Sequence, residues 1–289
     1  MARPIAIIGT GRLGTSLGRA LARKGYGIAW LADRNPAAAR TSRRIVRRGK
    51  ATADVAKAAD KASVIFLCVP DEEIPRLALR LARSIKDVKG KFFFQTSGIL
   101  SSQALAALRA RGAACASFHP VQSFARNDSP PRRYQKIFIG LEGDSLALKL
   151  AKKIAIRLGA RTLRVRPEDK IFYHAACSLA SNLFVPLFNE ACLLLEHIGF
   201  GTRAATRILY PLVEGTLQNV KLFDRTAALT GPLSRGDVET VRLHLRALRP
   251  HPAAREIYRA LGIRALTMAR KKRVPAARIR RLRELLERK

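Results

Sequence analysis

Residues 4–25, PIAIIGTGRLGTSLGRALARKG, constrain this chain more than any other stretch. The apolar run over 4–9, bounded by glycine, predicts a buried strand. Apolar positions then recur at helical spacing from residue 12 onward and stop at Gly25, a C-cap candidate. Gly9, Gly11 and Gly14 stand between strand and helix in GxGxxG order. In such a turn the first glycine permits the tight bend. The second lets backbone approach a pyrophosphate, and the third lets the helix lie close on the strand. The helix N-terminus then faces the anion. A bare GxGxxG is weak, but here strand, helix and Asp33, about 20 residues further on, agree. Gly9, Thr10, Gly11, Arg12, Leu13 and Gly14 are therefore the expected cradle for a dinucleotide. Asp33 is placed to accept hydrogen bonds from a ribose 2′-hydroxyl, which favours NAD. Arg34 beside it can grip the 2′-phosphate of NADP. Residues 34–50 carry several basic residues and no acidic one, so the expectation leans to NADP, with NAD open.

Strand patterns continue at 27–33, 62–70, 91–98, 114–120, 136–142 and 160–165. Helical patterns separate several of them, one opened by Asn35 and Pro36 and another over 145–158. This alternation predicts an α/β fold with a doubly wound parallel sheet. Past Pro167 only helical patterns remain. The expected division is a dinucleotide-binding domain over 1–166 and an all-helical domain over 167–289.

Charge and composition narrow the classes. The 289 residues include 55 basic and 21 acidic ones, a net charge of +34 that attracts polyanions. Aromatic residues make up only 6%, and none interleave with basic ones as a single-strand nucleic-acid binder requires. Leu282, Leu285 and Leu286 share one face of the basic C-terminal stretch, which predicts an amphipathic helix packed by its leucines. Cys68, Cys115, Cys177 and Cys192 lie far apart without CxxC spacing, so reduced thiols in a cytoplasmic protein are expected, and no metal site. The first apolar run reads as a strand rather than a signal peptide. The most apolar region, 174–200, is broken by Asn182, Asn189 and Glu190, which predicts a buried helix rather than a membrane span.

In open α/β sheets ligands bind outside the carboxyl ends of the strands. Those ends supply Val69, Pro70 and Asp71, which would border a nicotinamide ribose. They also supply Thr96, Ser97 and Gly98, which offer hydroxyls and an amide, or else an N-cap. His119 closes a strand before Pro120 and is the titratable candidate for protonating or orienting a reacting group; its plainer role is to order the loop. His174, Ser178 and Asn182 fall on one face of a helix, with Ser181 beside them. Such a stripe either meets a substrate or forms a hydrogen-bonded seam. In GPLSRGD (231–237) Asp237 is expected to cap a helix, and Arg235 to hold a carboxylate or tie an interface.

The order of motifs resembles a family of Rossmann-like oxidoreductases with a C-terminal helical domain of unknown function, related to pyrroline-5-carboxylate reductase and ketopantoate reductase. It rests on GTGRLG (9–14), CVPD (68–71), QTSG (95–98), FHPVQSF (118–124), YHAACSLASN (173–182) and LTGPLSRGDVETVRLHL (229–245). The resemblance implies a dinucleotide-dependent reductase, dimeric through its helical domain. The expected substrate is a small anionic keto or imino acid, with His119, His174, Ser181 and Asn182 as the catalytic candidates. Two departures count against it. Gln95 stands where the family has His. The catalytic Lys that hydroxyacid dehydrogenase cousins place on the first helix of their second domain has as its nearest counterpart Lys170, on the preceding turn. A cofactor-binding sensor or scaffold without turnover is the alternative, and a nucleic-acid binder the third class.

Overall fold

The computed structural model describes residues 3–125, 130–271 and 273–288. It falls into two compact units, Met1–Ser181 and Asn182–Lys289. The first contains eight strands: β1 (Ile5–Ile8), β2 (Ile28–Ala32), β3 (Lys50–Thr52), β4 (Val64–Leu67), β5 (Phe92–Gln95), β6 (Ala114–Pro120), β7 (Phe138–Gly143) and β8 (Arg161–Arg164). They form one sheet in the order β3-β2-β1-β4-β5-β6-β7-β8. The order reverses between β1 and β4, and this is the switch point where a ligand crevice opens.

Strand pleating sorts the core into two layers. Ile5, Ile7, Phe66, Phe94 and Phe118 point to one face. There they meet α1 (Arg12–Arg23), α2 (Pro36–Val46) and, further along the chain, the helix Ser145–Leu158. Ala6, Ile8, Ile65, Leu67 and Phe93 point to the other face, against α3 (Val55–Asp60), α4 (Glu73–Ser84) and the single turn α5 (Ala106–Arg109). A period of two along each strand produces this split, and helices on both faces bury both sets. Phe66 is the hinge of the first layer. Its ring lies 5.0 Å from Phe94 and 5.4 Å, edge-on, from Phe118.

The predicted strands all form, with two differences. β3 is an additional three-residue edge strand beside β2, too short and too basic to show as an apolar run. The sheet is also not wholly parallel, because β7 runs antiparallel to β6. A parallel return needs a crossover of helical length. The described part of the connection from β6 to β7 holds only a 3₁₀ turn, Pro131–Tyr134. The next crossover, α6 (Ser145–Leu158), restores parallel pairing between β7 and β8.

After β8 the chain is helical: α7 (Lys170–Cys177), a π turn (Ser178–Asn182), α8 (Phe184–His197), α9 (Thr202–Leu222), α10 (Arg225–Ala228), α11 (Pro232–Arg235), α12 (Val238–Ala247), α13 (Pro252–Lys271) and α14 (Ala276–Glu287). The helical pattern starts at Pro167, but the compact units divide after Ser181. α7 belongs with the sheet because Lys170 and Tyr173 reach β6 and β7. In the second unit Val241, Leu245, Leu266, Ile279, Leu282 and Leu286 form a separate core, so the C-terminal leucines pack as expected. GPLSRGD is not a plain loop. Pro232–Arg235 turns as α11 between Gly231 and Gly236, both at positive φ, and Asp237 caps α12 by accepting from the Thr240 amide at 3.0 Å.

The expectation of a buried helix across 174–200 is not met within one chain. Among the described residues the helical stretch Pro167–His197 is long and apolar enough to cross a membrane, and its most apolar part is unburied. Phe172 is 79% exposed and Leu179 68%. Apolar content predicted burial, but among the described residues no element covers these side chains.

Phe66→Ala removes the ring that joins two neighbours in a fully buried layer. We expect a stability loss of about 3–5 kcal/mol, read from the urea midpoint. A loss under about 1 kcal/mol would show that this layer can collapse around the void.

Candidate functional site

The crevice begins where β1 ends. Gly9 has φ +89°, and a Cβ there would collide with the Cys68 carbonyl at the end of β4. A Cβ on Gly14 would collide with the Gly9 carbonyl. These two glycines bring loop, helix and neighbouring strand into backbone contact. Gly11 differs: a Cβ there would meet nothing within 4 Å. Its bare backbone faces open space at the start of α1, where no side chain caps the helix and no acid sits in the first turn. A 12-residue helix with its positive end open to a glycine cradle has the physical form of a phosphate site. The open space at Gly11 therefore fits the pyrophosphate of a dinucleotide.

Asp33 stabilises this loop. Its Oδ2 accepts from the Thr10 amide at 2.7 Å and the Thr10 hydroxyl at 3.0 Å, and its Oδ1 accepts from the Asn35 amide. Thr10 is itself buried, and its carbonyl accepts from the Thr15 hydroxyl. A cleft of about 250 Å³ opens beside the loop and includes Gly9, Gly11, Asp33, Arg34, Val69 and Pro70. Arg34 is exposed there, and no ion pair engages it among the described residues. Glu73 and Arg80 of α4 also line this cleft and were not anticipated. Arg12, Leu13 and Asp71 are not among the residues that line this cleft and are partly or fully exposed. Cys68 lies under Gly14, and burial pushes its thiol up to about 12, which makes it inert packing.

The QTSG segment leaves β5 as a braced turn. Gln95 is fully buried; its Nε2 donates to the Leu100 carbonyl at 2.6 Å and its Oε1 accepts from the Ser97 amide at 2.5 Å. The amide that replaces the family's His therefore spends both ends on its own loop. The Ser97 hydroxyl accepts from the Ile99 and Leu100 amides, and Thr96 donates to the Leu67 carbonyl. The N-cap role expected of this segment belongs instead to Ser101, which caps the following 3₁₀ turn. That turn is anchored by Glu142 of β7, whose two oxygens accept from the Ser102 amide and hydroxyl at 2.6 and 2.7 Å.

A titratable cluster sits beside Gly98. A Cβ on Gly98 would overlap the His174 ring and come within 2.9 Å of His119 Nε2. His119 Nδ1 is 2.7 Å from the Tyr173 hydroxyl, and the His119 and His174 rings stand edge to face at 6.0 Å. Lys170 opens α7 and is 1% exposed. Its Nζ donates to Ser117 Oγ at 2.8 Å and to the Ser97 carbonyl at 3.3 Å. Burial lowers Lys170 to about 8, partly offset by Glu142 and Asp71. Burial, then Lys170 and His174, lower His119 to about 4. The cluster thus holds a neutral imidazole beside an ammonium poised close to neutral pH.

The structure brings Gly98 and His119, from two strand ends, together with His174 of α7. Lys170 and Tyr173 complete the group, and sequence reasoning missed the first as a partner and the second altogether. Their signal was present: Lys170, Tyr173 and His174 follow i, i+3, i+4 spacing on one helical face. Ser181 and Asn182 are exposed in the π turn Ser178–Asn182. A π turn takes more residues per revolution than an α turn, so the α-helical stripe from His174 through Ser178 to Asn182 does not hold its bearing.

His119 binds its proton near pH 4 when folded and near 6.5 when unfolded. Between those values the unfolded chain holds the extra proton, so this group makes stability fall as the pH drops from about 6.5 to about 4. Urea melts across that window are expected to show a shallower pH slope for His119→Gln than for the natural chain. Equal slopes would mean that His119 titrates normally.

The sequence carries two family matches. Residues 2–120 match the model of a Rossmann-like domain, and residues 137–265 match that of a domain of unknown function, DUF2520. No curated protein is significantly similar in sequence. Among solved structures, a Bacteroides fragilis protein assigned as an NADP oxidoreductase superposes with a TM-score of 0.77 at 23% identity, covering 91% of this chain and 98% of its own. A Thermotoga maritima protein gives 0.71 at 26% identity, over 93% and 99% of the two chains. A pyrroline-5-carboxylate reductase from Coxiella burnetii gives 0.59 at 18% identity, over 99% of each. A reductive aminase from Aspergillus terreus, in complex with NADPH, gives 0.62 at 16%, over 99% and 93%. The likenesses below 25% identity establish a shared fold. The two models stand in tandem, a Rossmann-like domain over 2–120 followed by a DUF2520 domain over 137–265.

Proposed function

We propose that this protein is an NADPH-dependent reductase acting on a C=O or C=N carbon of a small carboxylate-bearing acid. The observation that carries the reading is the bare, open backbone at Gly11 on an uncapped helix. The names of similar folds support it: one is assigned as an NADP oxidoreductase, one is a reductive aminase holding NADPH, and one is a pyrroline-5-carboxylate reductase.

Backbone amides across Gly9–Gly14 receive the pyrophosphate, with Arg12 and Leu13 contributing first-turn N–H groups. Asp33 is committed to Thr10, which leaves Arg34 as the group that meets a 2′-phosphate. Val69, Pro70 and Asp71 border the ribose next to the nicotinamide. When bound, the nicotinamide supplies the hydride. Lys170 donates the accompanying proton to the oxygen or nitrogen of the acceptor, and solvent later restores it. A value of about 8 keeps Lys170 protonated near neutrality yet able to give the proton up. His119, neutral at that pH and oriented by Tyr173, positions the acceptor by a hydrogen bond. Gly98, bare of a side chain, lets the His119 and His174 imidazoles close directly on the turn. Thr96 and Ser97 shape the turn that presents Gly98, and no step is assigned to Ser181 or Asn182.

The same reading makes the protein a homodimer. Phe172, Leu179, Leu183 and Val185, with Leu212 and Leu217 of α9, are exposed in one chain. Monomeric soluble proteins rarely leave so many large apolar side chains bare, and a second copy is their expected cover. Sedimentation at twice the chain mass checks this. A monomer without detergent, or recovery only in detergent, would remove it.

Titration with NADPH and NADH, read by nicotinamide fluorescence, tests the cofactor. Arg34→Ala is expected to weaken NADPH by about 10- to 100-fold, the worth of one charged hydrogen bond, and to leave NADH unchanged. Single-turnover oxidation of bound NADPH across keto and imino acids tests the chemistry. Lys170→Met is expected to slow it by roughly 10²–10⁴-fold. Binding without oxidation by any acid would favour the sensor instead, and no binding of either nucleotide would end the proposal.

A further inference from the structure

The second unit holds a cluster of arginines that neither the dinucleotide cleft nor the packing of its helices uses. A groove of about 460 Å³ lies among α12, α13 and α14 and is walled by Arg242, Arg246, Arg249, Arg255 and Arg288. Among the described residues, Arg242 alone of the five has an ion-pair partner, Glu239 at 2.6 Å. Arg259 nearby shows how the same helices satisfy a structural arginine: it donates to the carbonyls of Leu286 and Glu287 at 2.6 and 2.9 Å. Arg255 has no such arrangement. Its Nε is buried and without a hydrogen-bond partner. A guanidinium cannot shed its proton, so the donor stays charged and unmet until an acceptor reaches it, and an anion is the acceptor that also meets its charge.

Position adds to this. Arg255 stands in the first turn of α13, a 20-residue helix with no acid in that turn. The positive end of the helix and the orphan guanidinium therefore reinforce each other. Arg246 lies in the last turn of α12 and Arg249 just past it, where cations offset the negative helix end, and that accounts for their sign. It does not account for Arg255.

We infer that this groove binds a short polyphosphate. Arg255 engages one phosphoryl group through its planar fork, and Arg246, Arg249 and Arg288 neutralise the rest. Four guanidinium groups without an ion pair among the described residues, around one compact groove, call for several negative charges in one small ligand, which a single carboxylate does not carry. Free polyphosphate and the polyphosphate tail of a nucleotide share this chemistry.

Calorimetry of the full chain with inorganic tripolyphosphate tests it, with adenosine triphosphate as a second arm to separate the two sources. Arg246→Ala/Arg249→Ala changes exposed side chains only, so the fold is expected to hold. This double variant should bind tripolyphosphate at least about tenfold more weakly, with NADPH binding unchanged. Arg255→Lys keeps the charge and loses the fork, and should also weaken binding about tenfold. Arg203→Ala/Arg207→Ala, on the exposed side of α9, should change nothing. Equal losses in that control would reduce the effect to net charge and overturn the site. Loss only with Gly11→Val would assign the anion to the first unit, and unchanged affinity in every variant would also overturn the inference. Tighter binding of a single-stranded oligonucleotide, lost with the same arginines, would replace the small ligand by nucleic acid.

Discussion

Backbone against backbone at Gly9 and Gly14 is the contact on which the first unit depends. No side chain fits between the Gly9 carbonyl and α1, or between Gly9 and the end of β4. The close approach seats α1 on the sheet, so Leu17 and Leu21 reach the layer built by Ile5, Ile7 and Phe66. It also aims the free end of α1 past Gly11 into the crevice at the switch in strand order. The packing that stabilises the fold thus leaves the backbone end of α1 open at Gly11, with no side chain capping it. Thr10 and Asp33 tie the loop to the end of β2.

Electrostatics differ between the glycine cleft and the cluster beside Gly98. Near Gly11 the partial charges are those of open backbone amides, with Arg34 at the edge. Further along, around Gly98, burial governs. It discharges His119 and brings Lys170 toward neutrality while Ser117 and Ser97 hold the lysine in place. Glu142 belongs to the same frame. By gripping Ser102 it fixes the turn after Gln95, and its charge moderates the fall in Lys170. Arg109 extends the frame, donating to Ser102 Oγ at 2.8 Å and to Asp144 at 2.9 Å. A helix outside the strand pattern, α7, thereby becomes part of the sheet's own site.

The first unit was legible because its signals are local. Short apolar runs, a glycine triplet in a strand-to-helix turn, and Asn35–Pro36 at a helix start each act within a few residues, and each is seen in place. The antiparallel β7 was less legible, since strand direction depends on what connects two strands rather than on the strands. Asp33 shows the limit at a single residue. Its position beyond the glycines marks a ribose partner, but its oxygens are committed to Thr10 and Asn35. Gln95 shows the reverse: its departure from the family's His looked chemical, and its contacts are those of a loop brace.

By itself the sequence determined the order of strands and helices, the glycine cradle and the surplus of positive charge, because backbone propensity, pleat and composition are properties of neighbouring residues. Tertiary structure decided which charges stay unpaired and which groups change their affinity for protons. Lys170 loses proton affinity only where β6 and the turn after β5 exclude water from it, and Arg255 Nε goes unmet only where the packing of the second unit buries it. Burial and partnership arise between segments distant in the chain, and no local pattern encodes them.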